Sequence, residues 1–292
     1  MRAGAEGVVD AGVSTAAAAT SPPPASLAEA LSRLRAPYEL PATLTPTKMT
    51  RFMACPLAFR LAYLDHLPEP PTLDQVRGTL VHRALHLLFS SGPAADRSPE
   101  RARASIEEAF DEPAGRAGLE PLGLDPTGEA RLRREAAGLL DRYFALEDPT
   151  SVRPIGLELD VRVRVDQVDL RGIIDRLDRL EDGSVVVVDY KTGRAPRPEQ
   201  ARSRLGGVHF YAFLCEQLLG RRPSEVRLMY LRDQVVVVES PTDQSMRGLR
   251  QRAMAVWNAI GRACGSGDFR PNPSPLCRTC AFRSHCPAAP VR

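Results

Sequence analysis

From Leu44 onward the apolar residues of this chain follow two rhythms, and the change between them divides it. In LTPTKMTRFMACPLAFRLAYLDHL (44–67) they recur at helical spacing behind a Thr-Pro start signal. Residues 74–90, DQVRGTLVHRALHLLFS, predict a second amphipathic helix, and 98–147 reads as a charged helical layer broken by prolines and glycines. At Ile155 the spacing becomes that of a strand: Leu157, Leu159, Val161, Val163 and Val165 alternate with Glu158, Asp160, Arg162 and Arg164. A turn at Asp166–Gln167 leads to a second strand, VDLRGIIDRLDRL, and Glu181-Asp182-Gly183 closes a hairpin onto SVVVVDYK. That third run is β-branched throughout, as in a strand covered on both faces. A helix at 199–219, two short strands (VRLMYL and QVVVVES) and a helix at 242–263 complete the pattern. The fold class is α/β, a mixed sheet flanked by helices, with a helical insertion at about 92–150. Residues 1–40 are rich in Ala, Pro, Gly and Ser and read as a disordered leader with one short helix at 26–36; 41–292 reads as one domain.

The 292 residues, 43% hydrophobic and 26% charged, suffice for a sizeable core. No apolar run approaches the ~18–20 residues that span a bilayer, and Glu6 and Asp10 interrupt the N-terminus where a secretory signal would need an apolar stretch. A cytoplasmic protein with no membrane partner is expected. The net charge of +3 decides nothing about partners. Its make-up says more: 37 of the 39 basic residues are arginine, as a GC-rich codon bias would give without any nucleic-acid role. The two lysines, Lys48 and Lys191, are therefore informative, since only an ammonium has a readily tuned pKa. Cys215 and Cys264 lie on apolar helical patterns and read as core, whereas Cys55, Cys277, Cys280 and Cys286 do not.

Asp189 and Lys191 end the third strand two residues apart, so both point to one face and Tyr190 to the other. A carboxylate and an ammonium so placed suit hydrolysis, the one holding a divalent cation and the other orienting a water or meeting developing charge. Alone, such a pair is usually a surface ion pair. Asp175 lies on the neighbouring strand behind Ile173 and Ile174, both expected to be buried, and the hairpin brings it within a few residues of register with Asp189. Two adjacent carboxylates repel, which Mg²⁺ or Mn²⁺ would relieve. Asp178, nearer the turn, reads as solvated. His82 follows Gly78 by one helical turn, the glycine permitting close packing of helix on strand; His86 reads as structural.

GTLVH (78–82), GIIDRLDR (172–179) and VVVDYKTG (186–193) resemble the GxxxH, GxxDR and DYK motifs of RecB-family nucleases in the PD-(D/E)XK superfamily, over about residues 44–287. The resemblance implies a restriction-endonuclease-like core and a Mg²⁺- or Mn²⁺-dependent exonuclease acting on single-stranded DNA or DNA ends in repair. It makes His82, Asp175 and Asp189 metal ligands with the Tyr190 main-chain carbonyl, Lys191 the catalytic lysine, and Glu158 a further acidic member. Arg176, directly after a ligand, and Tyr211 are implied substrate contacts. Arg51, Arg60, Arg194, Arg197 and Arg202 are further phosphate-groove candidates, each more simply read as a solvated arginine, and Phe52, Phe59 and Tyr63 read as core. One departure stands out: where the family's QxxxY motif has glutamine there is Gly207, with His209 in the gap as a partial substitute. A weakened nuclease serving as a DNA-binding scaffold is therefore the rival reading, and a CRISPR-adaptation or RNA nuclease a second. No G-x-x-x-x-G-K-[ST] motif occurs, so a motor would come from a separate helicase subunit.

CRTCAFRSHC places Cys277, Cys280 and Cys286 on one short segment, and three thiolates need a fourth, for which Cys55 is the natural choice. Four thiolates suit zinc or a 4Fe–4S cluster, and spacing does not decide. The layout of one distant and three clustered cysteines resembles the iron–sulfur staple of AddB-type and CRISPR-associated RecB-like nucleases, which implies a cluster tying the two ends of the domain together.

Overall fold

The computed structural model describes residues 38–196 and 198–289, with no side chains given between 198 and 206. Helices α1 (Pro46–Ala54), α2 (Pro56–Tyr63) and α3 (Leu73–Ser90) are followed by α4 (Pro99–Asp111), α5 (Pro113–Leu119) and α6 (Pro126–Tyr143) of the inserted segment. Then come β1 (Pro154–Val165), β2 (Val168–Arg179), β3 (Val185–Lys191), α7 (Pro198–Leu219), β4 (Glu225–Tyr230), β5 (Val235–Glu239) and α8 (Asp243–Ser266). Prolines open α1, α2, α4, α5 and α6, at the position where a missing N–H costs nothing. Many of the prolines that look like interruptions in the sequence are thus helix starts. Thr45 caps α1 by accepting the Lys48 amide, and Thr72 forms a reciprocal capping box with Gln75 at α3.

The five strands run in the order β1-β2-β3-β4-β5. Hairpins make the first two pairings antiparallel, β3 and β4 are parallel, and β4 and β5 are antiparallel. A parallel neighbour requires a crossover, and the 22 residues of α7 provide it. The β3 run is covered on both faces as its composition predicts. Val185 and Val187 pack with Phe210, Leu214 and Ile260 of α7 and α8, while Val186, Val188 and Tyr190 pack with Val81 and Leu85 of α3 and with the inserted helices. Cys215 and Cys264 are buried, as expected. A small third cluster joins Leu57 and Leu61 of α2 to Phe282 near the C-terminus.

The expectations for the short helix at 26–36, for Arg197 and for the Arg202 side chain lie outside the described residues, as does almost all of the expected leader. At its edge, Tyr38 donates its amide to the Cys264 carbonyl and sets its ring edge-on to Phe269, so residues 38–40 already belong to the domain. Ile174 is buried, but Ile173 is 45% exposed, correcting the expectation that both are interior. Among the described residues no helix is long and apolar enough to cross a membrane.

Candidate active site

Asp189 and Lys191 share the parity of Val185 and Val187, so they leave the C-terminal end of β3 on the α7–α8 face. Regular pairing of β2 with β3 stops at Arg176↔Val188. One step further Asp175 and Asp189 stand opposite, and the Asp175 carboxylate takes over the ladder by accepting the Tyr190 amide at 2.8 Å. On the other side of β2, Leu157↔Arg176 and Leu159↔Ile174 bracket Glu158 against Asp175. Glu158 has φ 46°, a left-handed conformation costing a non-glycine residue about 1–3 kcal/mol. At this point the alternation of β2 slips, for Ile174 and Leu177 both enter the same core cluster although they are three positions apart. The local irregularity re-aims the carboxylates.

His82 arrives from the opposite side, on α3. A Cβ at Gly78, one turn before it, would come within 3.2 Å of Thr192 Oγ1, so the glycine does let α3 approach the end of β3. His82 Nδ1 stands 3.4 Å from Asp175 Oδ2, and ligand atoms of His82, Glu158 and Asp175 lie within 4.8 Å of one another. Lys191 Nζ forms an ion pair with Asp189, which is almost fully buried. Crowded negative charge shows in the protonation equilibria. Glu158 is still open to solvent, and partial burial of its carboxyl, with the Asp175 charge adding to it, pushes its pKa up to about 7. Burial also lifts Asp189, against the pull of Lys191. Burial opposes charge on His82 and on Lys191, yet Asp175 holds the histidine above its usual value and Asp189 does the same for the lysine. Oxygen and imidazole donors converging with excess negative charge fit a hard divalent cation.

Tyr211 of α7 lines the groove with Asp189 and Lys191. Burial and the charges of Asp189, Asp175 and Glu158 raise its phenol pKa, and its ring lies 3.3 Å from where a Cβ on Gly172 would be. Gly172 thus lets α7 sit against β2, a role not read from the sequence although GIIDR displays the residue. Among the described residues nothing lies within 4 Å of a Cβ at Gly207, which lines the same groove as Asp189, Lys191 and Tyr211. His209 does not fill that space; its Nε2 is 3.5 Å from Glu239 on β5.

Two expectations are corrected. Arg176 does not face substrate: it is fully buried on the other face of the sheet, bound to Glu147 and Asp178 and donating to the Tyr190 hydroxyl. Asp178, expected to be solvated, is 5% exposed because it neutralises that arginine. Arg51 and Arg60 are engaged by Glu69 and Asp65, whereas Arg194 lines the groove beside Lys191. Phe52 and Phe59 are core, and Tyr63 packs partly buried against them. His86 stays outside the cluster, its pKa lowered by burial and by Arg83.

Cys55, Cys280 and Cys286 pack against the Leu57–Leu61–Phe282 cluster, and Cys277 lines the groove with them. The Asn272 amide approaches Cys55 Sγ at 3.5 Å and the Ser274 amide approaches Cys277 Sγ at 3.3 Å. Among the described residues no three of these sulfurs lie within 4.8 Å of one another.

Over 173 residues, 55% of this chain, the sequence is 28% identical to one subunit of an ATP-dependent helicase/deoxyribonuclease from Streptococcus mutans; the matched part is only 15% of that protein. The fold is similar to a crystal structure from Eubacterium rectale assigned as a candidate exonuclease, with a TM-score of 0.54 and 10% identity, covering 86% of this chain and 90% of the other. The family model of the PD-(D/E)XK nuclease superfamily matches residues 43–287, which takes in α1, the whole sheet, His82, and Cys55 with Cys277, Cys280 and Cys286. With the strand order, the paired carboxylates and the strand-end lysine in the places that model covers, this chain belongs to the PD-(D/E)XK nuclease superfamily.

Proposed function

We propose that this chain is a deoxyribonuclease requiring Mg²⁺ or Mn²⁺, acting exonucleolytically on single strands or DNA ends in repair or end processing. The observation that carries this is the convergence of His82, Glu158 and Asp175 within 4.8 Å, beside the Asp189–Lys191 pair. Those three residues and Asp189, with the Tyr190 main-chain carbonyl, would hold the cation. A divalent ion bound there supplies Lewis-acid polarisation of the phosphate and a more acidic water. The side chains do the rest. Asp189 keeps Lys191 protonated, and the Lys191 ammonium orients the attacking water and meets negative charge as it develops on the phosphate. His82 and the Tyr190 amide fix the Asp175 carboxylate. Tyr211 covers the pocket and contacts the strand.

The cysteines form a 4Fe–4S staple in this reading, structural in role. Zinc held by the same four thiolates is the alternative. N–H groups aimed at two of the sulfurs are the contacts a bound cluster uses. A separate helicase subunit is the partner in keeping with the S. mutans relative. The open space at Gly207 favours the rival, a weakened nuclease serving as a DNA-binding scaffold. Mn²⁺-dependent loss of end-labelled single-stranded DNA, absent in Asp189→Ala, supports the nuclease; binding without cleavage by the unaltered chain moves the reading to the scaffold. Cleavage of RNA in preference to DNA of the same sequence would overturn the substrate class.

A further inference from the structure

The catalytic pocket opens into a groove of about 930 Å³ that runs between α1 and the cysteine-bearing segment 271–289, at the upper end of the ~300–1,000 Å³ of ordinary ligand pockets. Among the described residues six cationic side chains and two carboxylates line it, and both carboxylates are already paired, Glu69 with Arg51 and Asp189 with Lys191. The four remaining cations are Arg194 after β3, Arg252 on α8, and Arg278 and Arg283 on the cysteine segment. None has a carboxylate partner among the described residues, in a chain where Arg77, Arg83, Arg133 and Arg222 are all held by acids. Guanidinium groups from three separate elements, without a carboxylate partner among the described residues, thus line one groove together with Asp189 and Lys191.

The walls between them are apolar, and two large apolar side chains stand unusually open at the rim, Met53 at 47% and Leu276 at 67% exposed. Phosphates explain the arginines, but a duplex hides its base faces and gains nothing from Met53 and Leu276. A strand with unpaired bases uses both. We propose that this groove is the track for single-stranded DNA entering the active site, with Arg194, Arg252, Arg278 and Arg283 on the backbone and Met53 and Leu276 against the bases. The cysteine segment is then a wall of the substrate path as well as a brace of the fold. This inference rests on the nuclease reading for its substrate class and adds where the strand lies.

Fluorescence anisotropy of labelled dT20 with the full chain as purified, without added divalent cation, from 50 to 200 mM NaCl, tests it. Arg252→Gln and Arg278→Gln alter exposed side chains and should leave the thermal melt unchanged. Each should weaken binding several-fold and lower the slope of log K against log salt by about 0.7. Arg134→Gln, which alters an exposed arginine outside the groove with no carboxylate partner among the described residues, should bind as the unaltered chain does. The same affinity for a 20-base-pair duplex as for dT20, equal losses in Arg134→Gln, or no binding of dT20 at all would each overturn the track. The two readings fail separately. Binding as described with no Mn²⁺-dependent cleavage removes the nuclease and keeps the track. Cleavage with unaffected binding in both groove variants removes the track and keeps the nuclease.

Discussion

Arg176 and Glu147 meet in the interior behind the sheet, Nη1 to Oε1 at 2.6 Å and Nη2 to Oε2 at 2.9 Å, with the guanidinium fully enclosed. Arg176 follows Asp175 directly, and its Nη1 donates at 2.6 Å to the hydroxyl of Tyr190, the residue between Asp189 and Lys191. Glu147 stands just past α6, so this pair ties the inserted helices to both strands that carry the site. Glu147→Gln leaves a buried cation short of a carboxylate, which costs about 3–5 kcal/mol. Urea unfolding should show that loss, while Asp160→Asn, which removes the partner of exposed Arg171, leaves the midpoint where it was. Equal midpoints for the two variants would contradict the buried tie.

The Glu158 carboxyl sets a pH dependence. Its folded pKa of about 7 lies above the ordinary 4.5, so the folded protein holds this proton where the unfolded chain has released it. Stability from this group is complete below pH 4.5 and is lost as pH rises to about 7. Thermal melts of the metal-free protein should therefore fall across that window, and Glu158→Gln should flatten the profile. A cation competes with the same proton, so Mn²⁺ should raise the melting temperature more at pH 7.5 than at pH 5.5. A Mn²⁺ effect independent of pH would place the ion elsewhere.

Iron and sulfide analysis of anaerobically purified protein should give about four irons per chain. Cys280→Ser should lose the iron and lower the unfolding midpoint, because Cys280 packs on the Leu57–Leu61–Phe282 cluster that joins α2 to the C-terminal segment. One zinc per chain, with no iron, would reject the cluster and retain the brace.

No described residue crowds a side chain at Gly207, and a glycine inside a helix costs about 0.5–1 kcal/mol relative to alanine. Gly207→Gln should therefore melt no lower than the unaltered chain and cleave single-stranded DNA several-fold faster. A variant of equal stability and unchanged rate would show that the missing glutamine does not limit this site.

Much of the site is legible in the sequence because it is built from short-range rules. The parity of Asp189 and Lys191, the hairpin that sets Asp175 opposite Asp189, and the glycine one turn before His82 all follow from strand and helix periods. Arg176 and Asp178 escape such rules because their burial depends on Glu147, 29 residues away from the arginine in sequence and behind a segment with no strand pattern. An arginine beside a site carboxylate looks solvent-facing until its acid is found. The left-handed turn at Glu158 and the slip between Ile174 and Leu177 leave no trace in the alternation of β1, which reads as regular. Ile173 is exposed because β2 alternates regularly up to Ile174 and puts it on the outer side with Asp169 and Arg171.

The central claim is that Lys191 acts on the reaction while the carboxylates and His82 hold the ion. Isothermal titration with Mn²⁺ and turnover of end-labelled single-stranded DNA, on the unaltered chain and on Lys191→Ala, test it together. Retained Mn²⁺ binding with cleavage reduced at least ~100-fold in Lys191→Ala is the expected result. Cleavage that survives in Lys191→Ala would contradict it.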